Sequence, residues 1–151
     1  PEFLQQLLTS YQLDAKDICL EVTENVLLDQ HPDTVGLINT LHQMGFQLAI
    51  DDFGTGYSSL SYLRYIPVSE LKLDKSFVDD LAKDPASTAL SKAILAIGTS
   101  LNLQVVAEGI EEKAQYDILR KQGYHTGQGY LFSAPLPADK LAQWLKQQNR
   151  I

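Results

Sequence analysis

The sequence predicts an α/β fold built on a parallel sheet. Three observations lead there: short apolar strands alternate with longer amphipathic helices, the connections are short, and each strand bears a polar residue near its C-terminal end. Residues 1–11 place Phe3, Leu4, Leu7, Leu8 and Tyr11 at helical spacing, and residues 18–23 read as a strand. Residues 33–44 form an amphipathic helix that stops at Gly45, where a left-handed cap is wanted. Strand patterns follow at 47–51, 70–74, 103–108 and 125–130, with helices predicted at 57–65, 86–101, 111–122 and 138–148. In the last helix Leu141, Trp144 and Leu145 share one stripe. Alternation of this kind leaves two architectures, an open doubly wound sheet or a barrel. No repeat or linker divides residues 1–151.

Composition narrows the function. The chain has 151 residues, 44% hydrophobic and 21% charged, enough for one domain with a core of its own. No run approaches the ~18 apolar residues of a membrane span, so no membrane contact is expected from this segment. The single cysteine, Cys19, cannot form an intrachain disulfide, which fits a reducing, cytoplasmic setting. A net charge of −7 without a basic stripe argues against a nucleic-acid polymer as partner. A small phosphate ester remains open, provided that cations invert the local charge. The chain opens on Pro1-Glu2-Phe3-Leu4, directly in a helical pattern and without Met, as a piece of a longer protein would.

Strand parity concentrates the polar residues on one face. Ile18, Leu20 and Val22 oppose Cys19, Glu21 and Thr23; Leu48 and Ile50 oppose Gln47, Ala49 and Asp51. Leu71 and Leu73 oppose Lys72 and Asp74; Leu103 and Val105 oppose Gln104, Val106 and Glu108; Thr126, Gln128 and Tyr130 fall together. In a barrel the second face points inward, and its C-terminal rim carries the active site. Glu21, Asp51, Lys72, Glu108 and Gln128 converge there. Three carboxylates in a small volume repel unless cations lie between them, and an oxygen-rich set favours Mg²⁺ or Mn²⁺ over zinc.

Each residue alone has a plainer reading. Asp51-Asp52 before Phe53-Gly54 suits a turn, Lys72 suits a structural ion pair with Asp51, and Glu108-Gly109 suits a solvated strand end. Glu24, Glu111 and Glu112 suit helix starts. Coincidence decides against the plain readings as a group, because all five strands would have to misplace a polar residue at the same end. Residues 54–59 lack the spacing and lysine of a P-loop and read instead as a loop with glycine hinges. His31, His42 and His125 are isolated, suited to surface or capping roles; Cys19, Tyr62, Tyr65, Phe132 and Trp144 read as core.

Five segments in order then resemble the successive motifs of EAL domains, the cyclic diguanylate phosphodiesterases. They are Glu21-Val22-Thr23-Glu24, Asp51-Asp52-Phe53-Gly54-Thr55-Gly56-Tyr57-Ser58-Ser59, Leu71-Lys72-Leu73-Asp74, Ala107-Glu108-Gly109-Ile110-Glu111 and Gln128-Gly129-Tyr130-Leu131-Phe132. The resemblance implies a (β/α) TIM-like barrel that hydrolyses cyclic diguanylate to the linear dinucleotide with two ions, Mg²⁺ or Mn²⁺. It implies Glu21 and Asp51 as metal ligands, Asp51 bridging, and Asp52 serving the second ion. Lys72 is implied at the attacking water or scissile phosphate, Glu108 at the metal site positioning the water, and Gln128 in the same pocket. Glu24 is implied as the tether of the loop after Asp52.

The Glu-Ala-Leu signature, its neighbouring Arg and a metal-binding Asn are absent from the sequence. The expectation is therefore a barrel incomplete here, with its first two strands and first helix missing and 1–151 forming the C-terminal two-thirds of the domain. Such a piece is expected to self-associate through open edges and to be inactive alone, any membrane anchor of the parent lying upstream. The alternative function is a catalytically silent cyclic-dinucleotide receptor or scaffold.

Overall fold

A computed structural model describes residues 1–28, 31–55 and 62–148. Five strands, β1 (Cys19–Thr23), β2 (Gln47–Phe53), β3 (Glu70–Leu73), β4 (Gln104–Ala107) and β5 (Thr126–Gly127), form one sheet in chain order. Every neighbouring pair is parallel. The helices are α1 (Glu2–Tyr11), α2 (Glu24–Leu28), α3 (Pro32–Gln43), α4 (Lys75–Asp79), α5 (Pro85–Ser100), α6 (Lys113–Gln122) and α7 (Ala138–Gln148). Strand and helix alternate along a parallel sheet that does not close among the described residues, so the fold is an incomplete (β/α) TIM-like barrel. No helix among the described residues is long and apolar enough to cross a membrane.

The aliphatic parity set does what the sequence pattern requires. Leu48, Ile50, Leu71, Leu73 and Val105 are buried and pack with Ile38 and Leu41 of α3, Val78 of α4, Ile94 of α5 and Leu119 of α6. Local chemistry sets the helix ends. His31 caps α3, its Nδ1 accepting from Asp33 N at 3.4 Å, and Pro32 occupies the first turn, where its missing N–H costs nothing. Asp84 caps α5 by accepting from the amides of Ala86 (3.0 Å) and Ser87 (3.1 Å). These bonds to the ionised form hold its carboxyl below the ordinary aspartate value. A buried polar staple joins α5 to the chain entering β5: Gln122 Nε2 donates to Thr88 O (2.9 Å) and Tyr124 OH donates to Ser91 O (2.8 Å).

The structure differs from the sequence expectations in several places. β2 continues two residues beyond Asp51, and its register against β3 shifts between Ile50 and Phe53. Asp52 there takes a left-handed φ of 55°, the mark of a bulge. β5 is two residues long rather than six, because the backbone after Gly127 pairs with the loop leaving β4. Gln128 N donates to Ala107 O, and Ile110 N to Gln128 O. The short helices α2 and α4 were not expected. Of the helix predicted over 57–65, residues 57–61 lie outside the described residues, and Tyr62–Arg64 is a 3-10 turn. Cys19 is exposed rather than core, since its face of β1 lies at the sheet edge. Tyr65 (79% exposed) and Phe132 (44%) are not core residues either.

Two outcomes test this packing. A Cβ on Gly98 would lie 2.2 Å from Val105 Cγ2, so α5 approaches β4 as closely as only glycine allows. Gly98→Ala should destabilise the chain by about 1–3 kcal/mol despite the higher helix propensity of alanine. The double variant with Val105→Ala should lose less than the sum of the two single losses; simple additivity in urea melts would show that this contact is not the cause. Asp84→Ala should melt earlier than wild type at neutral pH. A depressed native pKa contributes stability above the unfolded value, so the gap should narrow as pH falls through and below 3.8. A gap that persists in acid would assign the effect to something other than the charged cap.

Candidate active site

β3 lies at the middle of the sheet, so its C-terminal end is flanked on both sides, and Lys72 emerges there with only 4% of its surface exposed. Its ammonium meets three carboxylates from three neighbouring strand ends. Nζ lies 2.6 Å from Glu21 Oε1, 3.1 Å from Asp51 Oδ1 and 2.8 Å from Glu108 Oε1. Burial by itself would lower the lysine pKa, but the carboxylates of Glu108, Glu21 and Asp51 outweigh it and hold Lys72 protonated well above its ordinary range. Burial pushes Glu108 upward, with Asp51 adding to that and Lys72 opposing it. Gln128 Nε2 donates to Glu108 Oε1 at 2.7 Å, so this oxygen is oriented from two sides.

Asp51 and its neighbour serve different places. Asp51 Oδ1 is buried and makes no well-aligned hydrogen bond among the described residues; Lys72 Nζ faces it at 3.1 Å. Asp52, turned by the bulge, lines a cleft of about 650 Å³ with Asp74, Lys75, Glu108 and Gln128. Partial desolvation, and then the Asp51 and Asp74 charges, raise its carboxyl. Glu24 starts α2 with 1% of its surface exposed, and its Oε2 accepts from Gly54 N at 2.8 Å, which fixes the backbone two residues after Asp52. Gly54 has φ 98°, and a Cβ there would lie 2.9 Å from Phe77 Cε2, so the turn needs glycine on both counts.

The donor set can be tested against a metal. Three carboxylate oxygens lie within 3.1 Å of one point, and one of them is buried without a well-aligned hydrogen bond among the described residues. Hard oxygen donors with excess negative charge fit Mg²⁺ or Mn²⁺. Among the described residues no group of three or more His, Cys, Asp or Glu side chains stands arranged to hold an ion, because the Lys72 ammonium lies where these oxygens converge. The residue types fit the ions.

The EAL domain family pattern matches residues 1–135. The chain belongs to the EAL domain family. The cyclic di-GMP phosphodiesterase PdeR of Escherichia coli is 41% identical over 144 residues, 95% of this chain and 22% of that protein. Among solved structures, the PaMucR phosphodiesterase in complex with c-di-GMP superposes with a TM-score of 0.87 at 41% identity, covering 91% of this chain and 56% of that one. BlrP1 of Klebsiella pneumoniae, solved with manganese and cy-diGMP, gives 0.83 at 31% identity over 89% of this chain and 34% of that one. The chain spans 16% to 24% of the length of the curated relatives it matches.

Sequence parity overlooked part of this candidate site. Asp74 shares the parity of Lys72 and lines the cleft, and it also caps α4, accepting from Ser76 N at 3.0 Å. Lys75 and Glu111 line the cleft as well, and Trp144, expected in the core, forms part of its wall. No spacing signal in the sequence joins Lys75 to Glu111.

Lys72→Met keeps the aliphatic stem and removes the shared counter-charge. It should cost about 2–3 kcal/mol, less than the ~3–5 of a fully buried pair because Glu21 is half-exposed. Mn²⁺ should then raise the melting temperature of the variant more than that of wild type, since no ammonium competes for the carboxylates. Equal shifts would show that the lysine and the ion do not share a charge centre.

Proposed function

We propose that this chain is the C-terminal two-thirds of an EAL domain that hydrolyses cyclic diguanylate to the linear dinucleotide in second-messenger signalling, using two ions of Mg²⁺ or Mn²⁺. The convergence of Glu21, Asp51 and Glu108 on one point beside the cleft carries this reading. Relatives solved with the cyclic dinucleotide, one of them with manganese, support the choice of ligand and ion.

Glu21, Asp51, Asp52 and Glu108 would hold the ions. When bound, the ions supply Lewis acidity toward the phosphodiester and a more acidic water. The residues of the chain do the rest. Lys72 stays protonated, and donors released from the carboxylates can meet the charge growing on the phosphate oxygens. Glu108, oriented by Gln128 at 2.7 Å, presents a carboxylate that aims the water at phosphorus, in line with the departing 3′ oxygen. Glu24 holds Gly54 and so fixes the backbone that carries Asp52. The exposed free thiol of Cys19 fits a cytoplasmic setting. Unpaired outer edges at β1 and β5 among the described residues support self-association of the isolated chain.

In the full-length protein, Glu21→Ala, Asp51→Asn and Glu108→Gln should each lower turnover of cyclic diguanylate at least about a hundredfold, and Ca²⁺ should inhibit because it tolerates looser coordination. A variant that keeps most of its turnover would remove its residue from the machinery. Nucleotide binding without turnover in the wild type would instead make the protein a receptor. The 151-residue chain alone should sediment as an oligomer and hydrolyse nothing. A monomer with substantial turnover would overturn that part of the proposal.

A further inference from the structure

Lys75 opens α4 three residues after Lys72 and has no part in the reading above. Its side chain crosses from α4 to the loop that leaves β4. A Cβ built on Gly109 would lie 2.3 Å from Lys75 Cγ and 2.8 Å from Cδ, so the lysine stem lies directly on the glycine backbone. Beyond it, the ammonium forms an ion pair with Glu111 and approaches Asp79 at 4.0 Å. Gly109, at φ 67°, joins Glu108 to this clamped segment. From the other side, the buried Gln115 accepts from the amides of Glu111 (2.9 Å) and Glu112 (2.8 Å). The loop after Glu108 is therefore gripped by α6 beneath and by Lys75 above.

The grip has a geometric consequence. Glu108 Oε1 must meet both Lys72 at 2.8 Å and Gln128 at 2.7 Å, and its backbone N–H is tied to Leu73 O at 3.1 Å. The peptide on its other side ends in a left-handed glycine; Ile110 beyond it is tied to Gln128 O (3.0 Å), and Gly109 itself is covered by the Lys75 stem. We propose that Lys75 is a positioning residue for the phosphodiesterase reaction: its stem on Gly109 and its ion pair with Glu111 fix the angle at which Glu108 is presented to the water and ions. Glu111 is its partner in this task rather than a simple helix-start acid. Lys75 is half-exposed, so its ion pair contributes little to global stability, and the effect should appear in the site rather than in the melting temperature.

This inference rests on the proposed hydrolysis, and the test separates the two. In the full-length protein with Mn²⁺, Lys75→Met should lower kcat about tenfold to a hundredfold with KM within about twofold, the effect expected of a displaced catalytic group. Lys75→Arg, which keeps stem and charge, should recover most of the rate. Glu111→Gln should reproduce the loss, and Lys75→Met with Glu111→Gln should lose no more than either alone, because they remove one contact. Independently of turnover, amide hydrogen exchange over 109–112 should quicken in Lys75→Met while protection in β2 and β3 stays unchanged. If the wild type hydrolyses nothing, the proposed function fails, and the exchange experiment still decides the clamp. Wild-type kcat with wild-type exchange in Lys75→Met would overturn the inference. So would a rate loss that Lys75→Arg does not recover.

Discussion

The site end of this sheet depends on one buried ammonium shared by three carboxylates. Apolar burial packs Leu48, Ile50, Leu71 and Leu73 against the helices, but it is indifferent to where the opposite, polar edge of each strand ends. The charge cluster is not. Lys72 is buried, and leaving it unpaired would cost several kcal/mol, so the strand ends carrying Glu21, Asp51 and Glu108 must stop within reach of one point. Parallel pairing sets the stagger, with Thr23 beside Asp51 and Leu73 beside Ala107, and the ion pairs then hold that stagger at the C-terminal edge. Fold and site are joined by that requirement.

Backbone geometry assigns the two adjacent aspartates to separate tasks. In a regular strand Asp51 and Asp52 would point to opposite faces, one toward Lys72 and the other toward the helices. The register shift and the left-handed Asp52 break the alternation and send the second carboxylate to the cleft. Such a conformation in a non-glycine residue is strained and persists only when its surroundings hold it. Here the surroundings include Glu24 on Gly54 N, with Phe77 and Ile94 packed against Gly54 itself. A buried glutamate and a ring from two different helices thus hold a turn that the strand alone would not adopt.

This explains which parts of the molecule could be read from the sequence. Alternation of faces depends only on strand geometry, so the grouping of Glu21, Asp51, Lys72 and Glu108 was legible before any coordinate. Gln128 was legible too, although it reaches Glu108 from just beyond a two-residue strand. What escaped depends on non-local contact. The bulge at Asp52 is set by pairing with β3, the exposure of Cys19 by the position of β1 at the sheet edge, and the short α2 and α4 by tertiary packing rather than by periodicity. Lys75 and Glu111 lie 36 positions apart, and neither lies on a strand or in a regular helical pairing with the other.

Electrostatics ties the acidic composition to the chemistry. A chain of net charge −7 with three carboxylates around one lysine should repel the dinucleotide of the proposed reaction, which carries two phosphodiester charges. In the proposed reaction the same excess would hold divalent cations, and these would make the site attractive to phosphate. Lys72 prepares the oxygens for such an ion, although its ammonium competes for them. Its ammonium already gathers the oxygens of Glu21, Asp51 and Glu108 within about 3 Å of one point, so the desolvation and side-chain ordering of a ligand set have been met by the fold. In the proposed reaction Glu21, Asp51 and Glu108 would hold the ions with oxygens that the fold has already gathered, and Lys72 would keep its charge beside them. One residue can then serve first as the counter-ion that shapes the site and afterwards as a donor within it.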